Sequence, residues 1–359
     1  MKTGHPTWTT ATQRGKWAVG LALLAIAGLV PRIDAQVGTP GPPGSRLSVA
    51  ADVPRHRSGK LDLSGLWDFG SLTPLERPKE YGDRAFLTPE EVAAIEKRAA
   101  DSALQDRAPS AGDPGTYNRF WTDFGSRVGD GARTSLVIDP PDGRIPPITE
   151  AARAREDAMW AKRQAAAQAQ DLPSWDRCLT GFNAGPPIIP SGYNNNLQIF
   201  HTENVVALFT EMVHDARIVP LDGRPHLSQS VRQWRGDSRG RWDGDTLVIE
   251  STNFSNKGTG TLVLDRQFGP RPYLGGTPDE HLKLTERFTR VRRDTLIYEF
   301  TVDDPTVWTR PWTAQVTMRG GSEGLFEYAC HEGNYGLANM LSAARSEEAK
   351  ESSSKSEGR

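Results

Sequence analysis

The chain has 359 residues, of which 43 are basic and 45 acidic, giving a formal net charge of −2. That balance excludes a global field suited to nucleic acid or to an anionic membrane surface. Hydrophobic residues make up only 36%, with 35 glycines and 26 prolines, so the length of one large or two small domains is divided by many turns.

Residues 1–35 read as a signal peptide. Arg14 and Lys16 supply a positive flank, and residues 17–30 form an apolar run too short to span a bilayer comfortably. Ala35 is a small residue suited to cleavage before Gln36. No cysteine follows the run and no paired arginines precede it, so ordinary unfolded export is expected, to a periplasm or the cell exterior. An uncleaved anchor is the alternative; after cleavage no stable membrane insertion is expected. In an oxidising compartment Cys178 and Cys330, the only two cysteines, are expected to form a disulfide. Such a bridge would tie the start of the barrel region to its last strand; two separate buried thiols are the alternative.

Residues 36–60 are rich in Pro, Gly and Arg and read as a disordered arm. Residues 61–340 then form a single β-barrel-like domain. Residues 61–69 predict a first strand. Thr88, Pro89 and Glu91 place a cap, a first-turn proline and a capping box at the start of a helix over about 88–104. Residues 105–133 read as a loop with an aromatic cluster of Tyr117, Phe120, Trp121 and Phe124. A short strand over 134–139 ends at a Pro-Pro-Asp-Gly turn. A second helix, about 149–170, is alanine-rich and has few large apolar residues, so it is expected to cover a surface.

Beyond Cys178 the pattern shifts to closely spaced strands: 197–201, 205–218, 231–235, 241–242, 246–252, 282–291, 295–302, 312–318 and 325–330. Asp243-Gly244-Asp245 is a strong hairpin signal. About eight to ten antiparallel strands imply a barrel or sandwich. Residues 341–359 read as a charged, disordered tail.

Gly65-Leu66-Trp67 on a first strand, ahead of a series of antiparallel strands, resembles the calycin (lipocalin-like) barrel. That resemblance implies an indole lying across the barrel base and a mainly β, antiparallel barrel, to which the two helices read above are additions that a simple lipocalin lacks. Residues 176–335 also resemble an uncharacterised family of secreted bacterial proteins. The segments carrying that likeness are Arg177-Cys178-Leu179, residues 193–196, residues 211–226, residues 236–248, Thr285-Glu286-Arg287-Phe288 and residues 330–335. The likeness identifies relatives and implies no activity.

Residues 211–226 concentrate two histidines, two arginines and three carboxylates in one strand-like run and its turn. Ionisable groups that interrupt an apolar face are costly to bury unless paired, so they mark a polar site or rim. Counting by twos puts His214 on a face with Val206, Leu208, Met212 and Ile218, with Glu211 and Arg217 opposite. Glu286 shares a face with Leu284 and Phe288, and Asp304 continues the face of Tyr298, Phe300 and Val302. If those faces line one cavity, His214, Glu286 and Asp304 converge among apolar side chains. A desolvated Glu286 could act as acid or base, with His214 or His226 reciprocating. Arg217 and Arg224 could then hold a carboxylate. A buried pair that only fixes strand register is the structural alternative.

Trp234 and Trp242 are candidates to stack on a ligand, with His331 and Glu332 beside them at the end of the β region; packing within the core is the alternative use of the indoles. Gly236-Asp237-Ser238-Arg239-Gly240 matches a Gly-x-Ser-x-Gly elbow, but no helix follows, so it reads as a glycine-rich connection. His214, His226 and His331 would be the ligands of a metal, yet no helical metal motif is present, and neither a metal nor a cofactor is assigned. The leading expectation is therefore a secreted protein binding a small-molecule ligand or substrate, with acid–base chemistry of a hydrolase, lyase or isomerase type. A non-catalytic carrier and an envelope-associated structural protein are the rivals.

Overall fold

The computed structural model describes residues 49–103, 122–181, 183–255, 263–264, 273–274, 281–321 and 324–357. The signal-peptide reading, most of the arm, and Tyr117, Phe120 and Trp121 fall outside these residues. The fold is mainly β: among the described residues nine antiparallel strands form a nearly closed barrel, accompanied by three helices. In chain order the elements are β1 Gly65–Asp68, α1 Pro89–Ala103, β2 Val137–Asp139, α2 Glu150–Ala165, β3 Asn196–His201, β4 Val205–Thr210 and β5 Asp215–Pro220. They continue with β6 Asp237–Asp243, β7 Thr246–Thr252, β8 Val263–Leu264, β9 Tyr273–Leu274, β10 Lys283–Arg292, β11 Thr295–Asp303, β12 Trp312–Gly320 and α3 Tyr335–Glu357. Around the barrel the order is β5-β4-β3-β1-β12-β11-β10-β7-β6, with β2 added to β12 and β8–β9 a separate ladder.

Period-two alternation explains the barrel interior. Leu197 and Ile199 from β3, Val206 and Leu208 from β4, Leu284 and Phe288 from β10, and Tyr298, Phe300 and Val302 from β11 all point inward and are almost wholly buried. Aromatic rings run in a chain through this core. Phe288 meets Tyr298 at 4.7 Å between centroids, Tyr298 meets Phe300 at 5.6 Å, Phe300 meets Trp312 at 5.7 Å, and Trp312 meets Trp308 at 6.0 Å. At the base, Trp67 is buried; its indole N–H donates to Leu63 O at 3.0 Å, and the Arg290 guanidinium lies 5.0 Å from its ring centre.

The barrel does not close by hydrogen bonds. β5 and β6 end the strand order and share no ladder. They meet through side chains instead: a Cβ added at Gly240 on β6 would lie 2.5 Å from Leu221 and 2.9 Å from Val219. A glycine at that position lets the two edges approach.

The helices follow their sequence signals. Thr88 and Glu91 form the expected capping box, with Glu91 N–H donating to Thr88 Oγ1 at 3.3 Å and Thr88 N–H to Glu91 Oε2 at 2.8 Å. Arg84 grips both oxygens of Glu91 and holds its carboxyl down at about 2. Thr149 caps α2, whose one buried residue is Ala152, so that helix covers a surface as its composition implies.

Several elements differ from the sequence reading. The run 205–218 is not one strand but a hairpin: β4 and β5 pair antiparallel, with Leu208 opposite Arg217. Residues 231–235 form turns and a single bridge from Gln233 to Phe254, while β6 begins earlier than expected, at Asp237. Residues 324–330 are not a strand. Helix α3 runs through much of the segment read as a disordered tail, with ion pairs from Arg345 to Glu348 and Lys350 to Glu347. Residues 49–60 of the arm pack on the barrel, with Ala50 N–H donating to Val291 O and Arg55 bridging to Leu61.

Cys178 and Cys330 form the expected disulfide, across a sequence separation of 152. Cys330 lies beyond β12, so the bridge ties the segment before β3 to the connection leading into α3, rather than to the last strand. The chain-entropy relation gives about 5 kcal/mol for a loop of that size. Replacing both cysteines by serine is expected to lower unfolding free energy by about 2–5 kcal/mol, read by urea denaturation of the oxidised parent and the variant. Equal midpoints would refute a stabilising bridge.

Candidate functional site

The polar residues of the interior gather on the inward face of β5, which meets Glu286 of β10 and Arg235 in the segment leading into β6. Glu286, on β10, has no exposed surface and is flanked on its own face by Leu284 and Phe288. Both its oxygens are held by Arg217: Nη1 pairs with Oε2, and Nη2 donates to Oε1 at 2.9 Å. Tyr298 donates its hydroxyl to Oε1 at 2.8 Å and accepts the Ile188 N–H at 3.0 Å. Burial, reinforced by the Glu286 charge, pushes the Tyr298 phenol well above its ordinary value, so it remains a donor. This arrangement is a bidentate fork with a satisfied second donor, the strongest form of buried ion pair.

A second pair lies beside the first with its charges reversed. Asp215 on β5 pairs with Arg235, just before β6. Arg235 also donates from Nη1 to Ala184 O at 3.2 Å and Gly185 O at 3.1 Å. Burial brings the Arg235 guanidinium down to about 10, with Asp215 opposing that shift and Arg217 adding to it. Two arginines thus alternate with two carboxylates across the seam.

The face assigned to residues 211–218 changes accordingly. A 3-10 turn over Met212–His214 places Val213 and His214 in the left-handed region, at φ of 61° and 50°. The chain reverses there, so Arg217 points inward opposite Leu208 while Ile218, 57% exposed, points out. His214 is exposed; its Nδ1 accepts the Tyr328 N–H at 2.8 Å and its ring meets Phe209 edge-on. The structure therefore brings Glu286 together with Arg217 and not with His214. Glu211 is buried and accepts from Asn196 Nδ2 at 2.6 Å and Phe326 N–H at 3.2 Å.

His226 lies in a different environment. Its Nδ1 is 2.8 Å from Oδ2 of Asp237, a buried carboxylate that also accepts the Leu227 N–H at 3.0 Å and Arg239 Nη1 at 2.6 Å. The ring is 30% exposed, so one face of this dyad reaches solvent. Arg224 is exposed and turned back onto Asp222, which it holds down at about 2.

Asp304 is buried, as parity implies, with Oδ1 accepting from the backbone and hydroxyl of Thr306 at 2.9 and 2.7 Å. It stabilises the turn into Trp308 and forms no hydrogen bond with Glu286. Trp234 lies half-buried beneath Arg177, 5.9 Å from its ring centre, and Trp242 packs against the core. His331 and Glu332 are exposed beside the disulfide. Ser238 is buried in β6 against Ser251 at 2.7 Å, which rules out an exposed nucleophile elbow. Among the described residues no group of three or more His, Cys, Asp or Glu side chains is placed to hold a metal ion.

Sequence reasoning missed Tyr298 and Arg235. Tyr298 was visible only as an apolar member of the β11 face, and its hydroxyl gains a role because it lies diagonally from Glu286, whose direct partner is Phe300. Arg235 carries no pattern of its own; its partner Asp215 is set by the hidden turn. Comparisons of the chain with family models, with curated proteins and with solved structures find no match.

Removing one partner of a buried pair strands the other charge. Arg217→Ala is expected to cost about 3–5 kcal/mol of unfolding free energy, whereas His214→Ala costs under about 1.5 kcal/mol. Urea denaturation of both variants checks the contrast; equal losses would contradict the placement of Glu286.

Proposed function

We propose that this chain is an exported, envelope-associated protein that acts through its outer surface rather than through a ligand-filled barrel. The observation that carries this reading is the interior itself. The inward residues of the described strands are packed on one another, and the buried carboxylate among them, Glu286, is fully engaged by Arg217 and Tyr298. An acid–base catalyst needs a group free to exchange a proton with substrate, and both oxygens of Glu286 are already engaged by Arg217 and Tyr298.

The disulfide and the sequence signal for export support a location outside the cytoplasm. Among the described residues no helix is long and apolar enough to cross a membrane. The buried Trp67 and the antiparallel barrel support a calycin-like architecture, and the likeness to secreted bacterial proteins fits the same location. On the outside of β3, β4 and β5, Phe200 and Ile218 are more than half exposed and flank Ala207 in register, an apolar surface suited to contact.

One observation favours a second reading. The His226–Asp237 hydrogen bond fixes a partly exposed imidazole as an acid–base catalyst would require, and a small organic substrate would then be turned over at the rim. Untargeted profiling of a metabolite mixture incubated with the mature protein, and with His226→Gln, separates the two. The surface-acting reading predicts identical profiles and no retained small molecule in native mass spectrometry. Depletion of a metabolite that is lost in His226→Gln would overturn it in favour of catalysis.

A further inference from the structure

The base of the barrel holds a histidine that none of the interactions above uses. His201, the last residue of β3, points inward with its side chain 1% exposed, and neither ring nitrogen has a hydrogen-bond partner. A neutral imidazole carries one donor and one acceptor, and leaving either unmade in the interior costs free energy. What covers the ring is a short hairpin tip. Arg55 and Leu61 are bridged, His56 N–H donates to Lys60 O, and Gly59 N–H returns to His56 O. The tip lays the His56 ring against His201, 4.6 Å between centroids, while Trp242 of β6 packs on the same histidine at 5.4 Å.

The tip's remaining anchors are polar and exposed. Arg55 grips both oxygens of Asp245 at 2.8 and 2.9 Å, and Lys60 donates to Gly244 O at 3.2 Å. Between the tip and the β6–β7 turn lies a cleft of about 400 Å³ lined by Ser58, Gly59, Lys60, Gly244 and Asp245, which admits water beside the clasp. Exposed pairs of this kind contribute little, because solvent screens them. The buried anchors Val53, Leu61 and Leu63 lie outside the tip, so the tip can lift without unpacking the core.

We propose that residues 55–60 form an acid-released clasp on the barrel base, held shut over a neutral His201 and lifted when that ring takes up a proton. Protonation would put two N–H donors and a positive charge into a site that provides no acceptor at hydrogen-bond distance, against a second imidazole ring. The groups facing His201 divide in sign. His56 on the tip opposes the charge. The Asp62 carboxylate, 3.9 Å away and accepting the Ser64 N–H, favours it. Arg290 of β10 donates to Asp62 O and adds positive charge near that carboxylate, while Trp242 of β6 and the Ser64 hydroxyl facing the His201 N–H are neutral. Burial and His56 together outweigh Asp62, holding the His201 pKa below its ordinary value. Arg55 keeps Asp245 below the usual carboxylate range, so the salt bridge does not respond in the window where histidine does.

The direction of the effect follows from linkage. A ring that binds protons less readily when covered stabilises the closed clasp fully above about pH 6.5, and that stability falls as pH drops below it. The ratio of open to closed tip rises by up to about tenfold per pH unit in that range. Amide hydrogen exchange of the mature protein at about pH 7.5 and about pH 5.5, corrected for intrinsic exchange, reads this ratio at His56 and Gly59. Protection of those amides is expected to fall severalfold on acidification while β10 and β11 remain unchanged. His201→Phe is expected to abolish the response, and His56→Gln, at a partly exposed position that tolerates change, to weaken it. No response in the parent, or a full response in either folded variant, overturns the proposal.

Discussion

The seam between β5 and β6 is closed by side-chain charge where backbone pairing is absent, and the rest of the barrel depends on that closure. Each inward residue of β5 has a partner on the far side: Asp215 takes Arg235, Arg217 takes Glu286, and Val219 meets the space left by Gly240. An open edge would expose a row of unsatisfied backbone groups and leave the inward face of β5 without a wall. Two ion pairs of opposite sense, one with almost no exposure, substitute for a ladder. Their desolvation is expensive, so their worth lies in fixing one register and one closure rather than in raw stability.

That constraint also decides what the interior is for. The carboxylate best placed for chemistry in a β-barrel is an inward one among apolar neighbours, and Glu286 has that address. Its oxygens are consumed by Arg217 and Tyr298, and Ile188 caps the Tyr298 hydroxyl from above. A site built this way holds the fold. On the surface-acting reading proposed above, the groups that act lie at the periphery: the His226–Asp237 dyad at one rim, the proposed His201 clasp at the base, and the apolar outer face around Phe200 and Ile218.

The barrel was largely legible in the sequence because its signals are local. The Asp243-Gly244-Asp245 turn, the alternation in β10 and β11, and the Thr88–Glu91 capping box each specify structure within a few residues, and parity placed Glu286 and Asp304 inward correctly. The failure came from one turn. Residues 211–214 contain no glycine, proline or asparagine, and Val213 adopts a positive φ that a β-branched residue rarely takes. Nothing local announces a reversal, so the pattern reads as one strand and a count by twos puts every side chain after the turn on the wrong face, with His214 inward and Arg217 outward. The His201 environment was equally hidden, since it depends on a hairpin tip 145 residues earlier in sequence, at His56.

The claim that ion pairing closes the seam is tested most directly by a double-mutant cycle on Arg217 and Glu286. Unfolding free energies are measured for the parent, Arg217→Met, Glu286→Leu and the double variant. The account predicts that each single change costs about 3–5 kcal/mol, that the double variant costs less than their sum, and that the coupling reaches about 1.5 kcal/mol or more. Additive losses with coupling near zero would mean that Arg217 and Glu286 do not meet across the seam, and would contradict it.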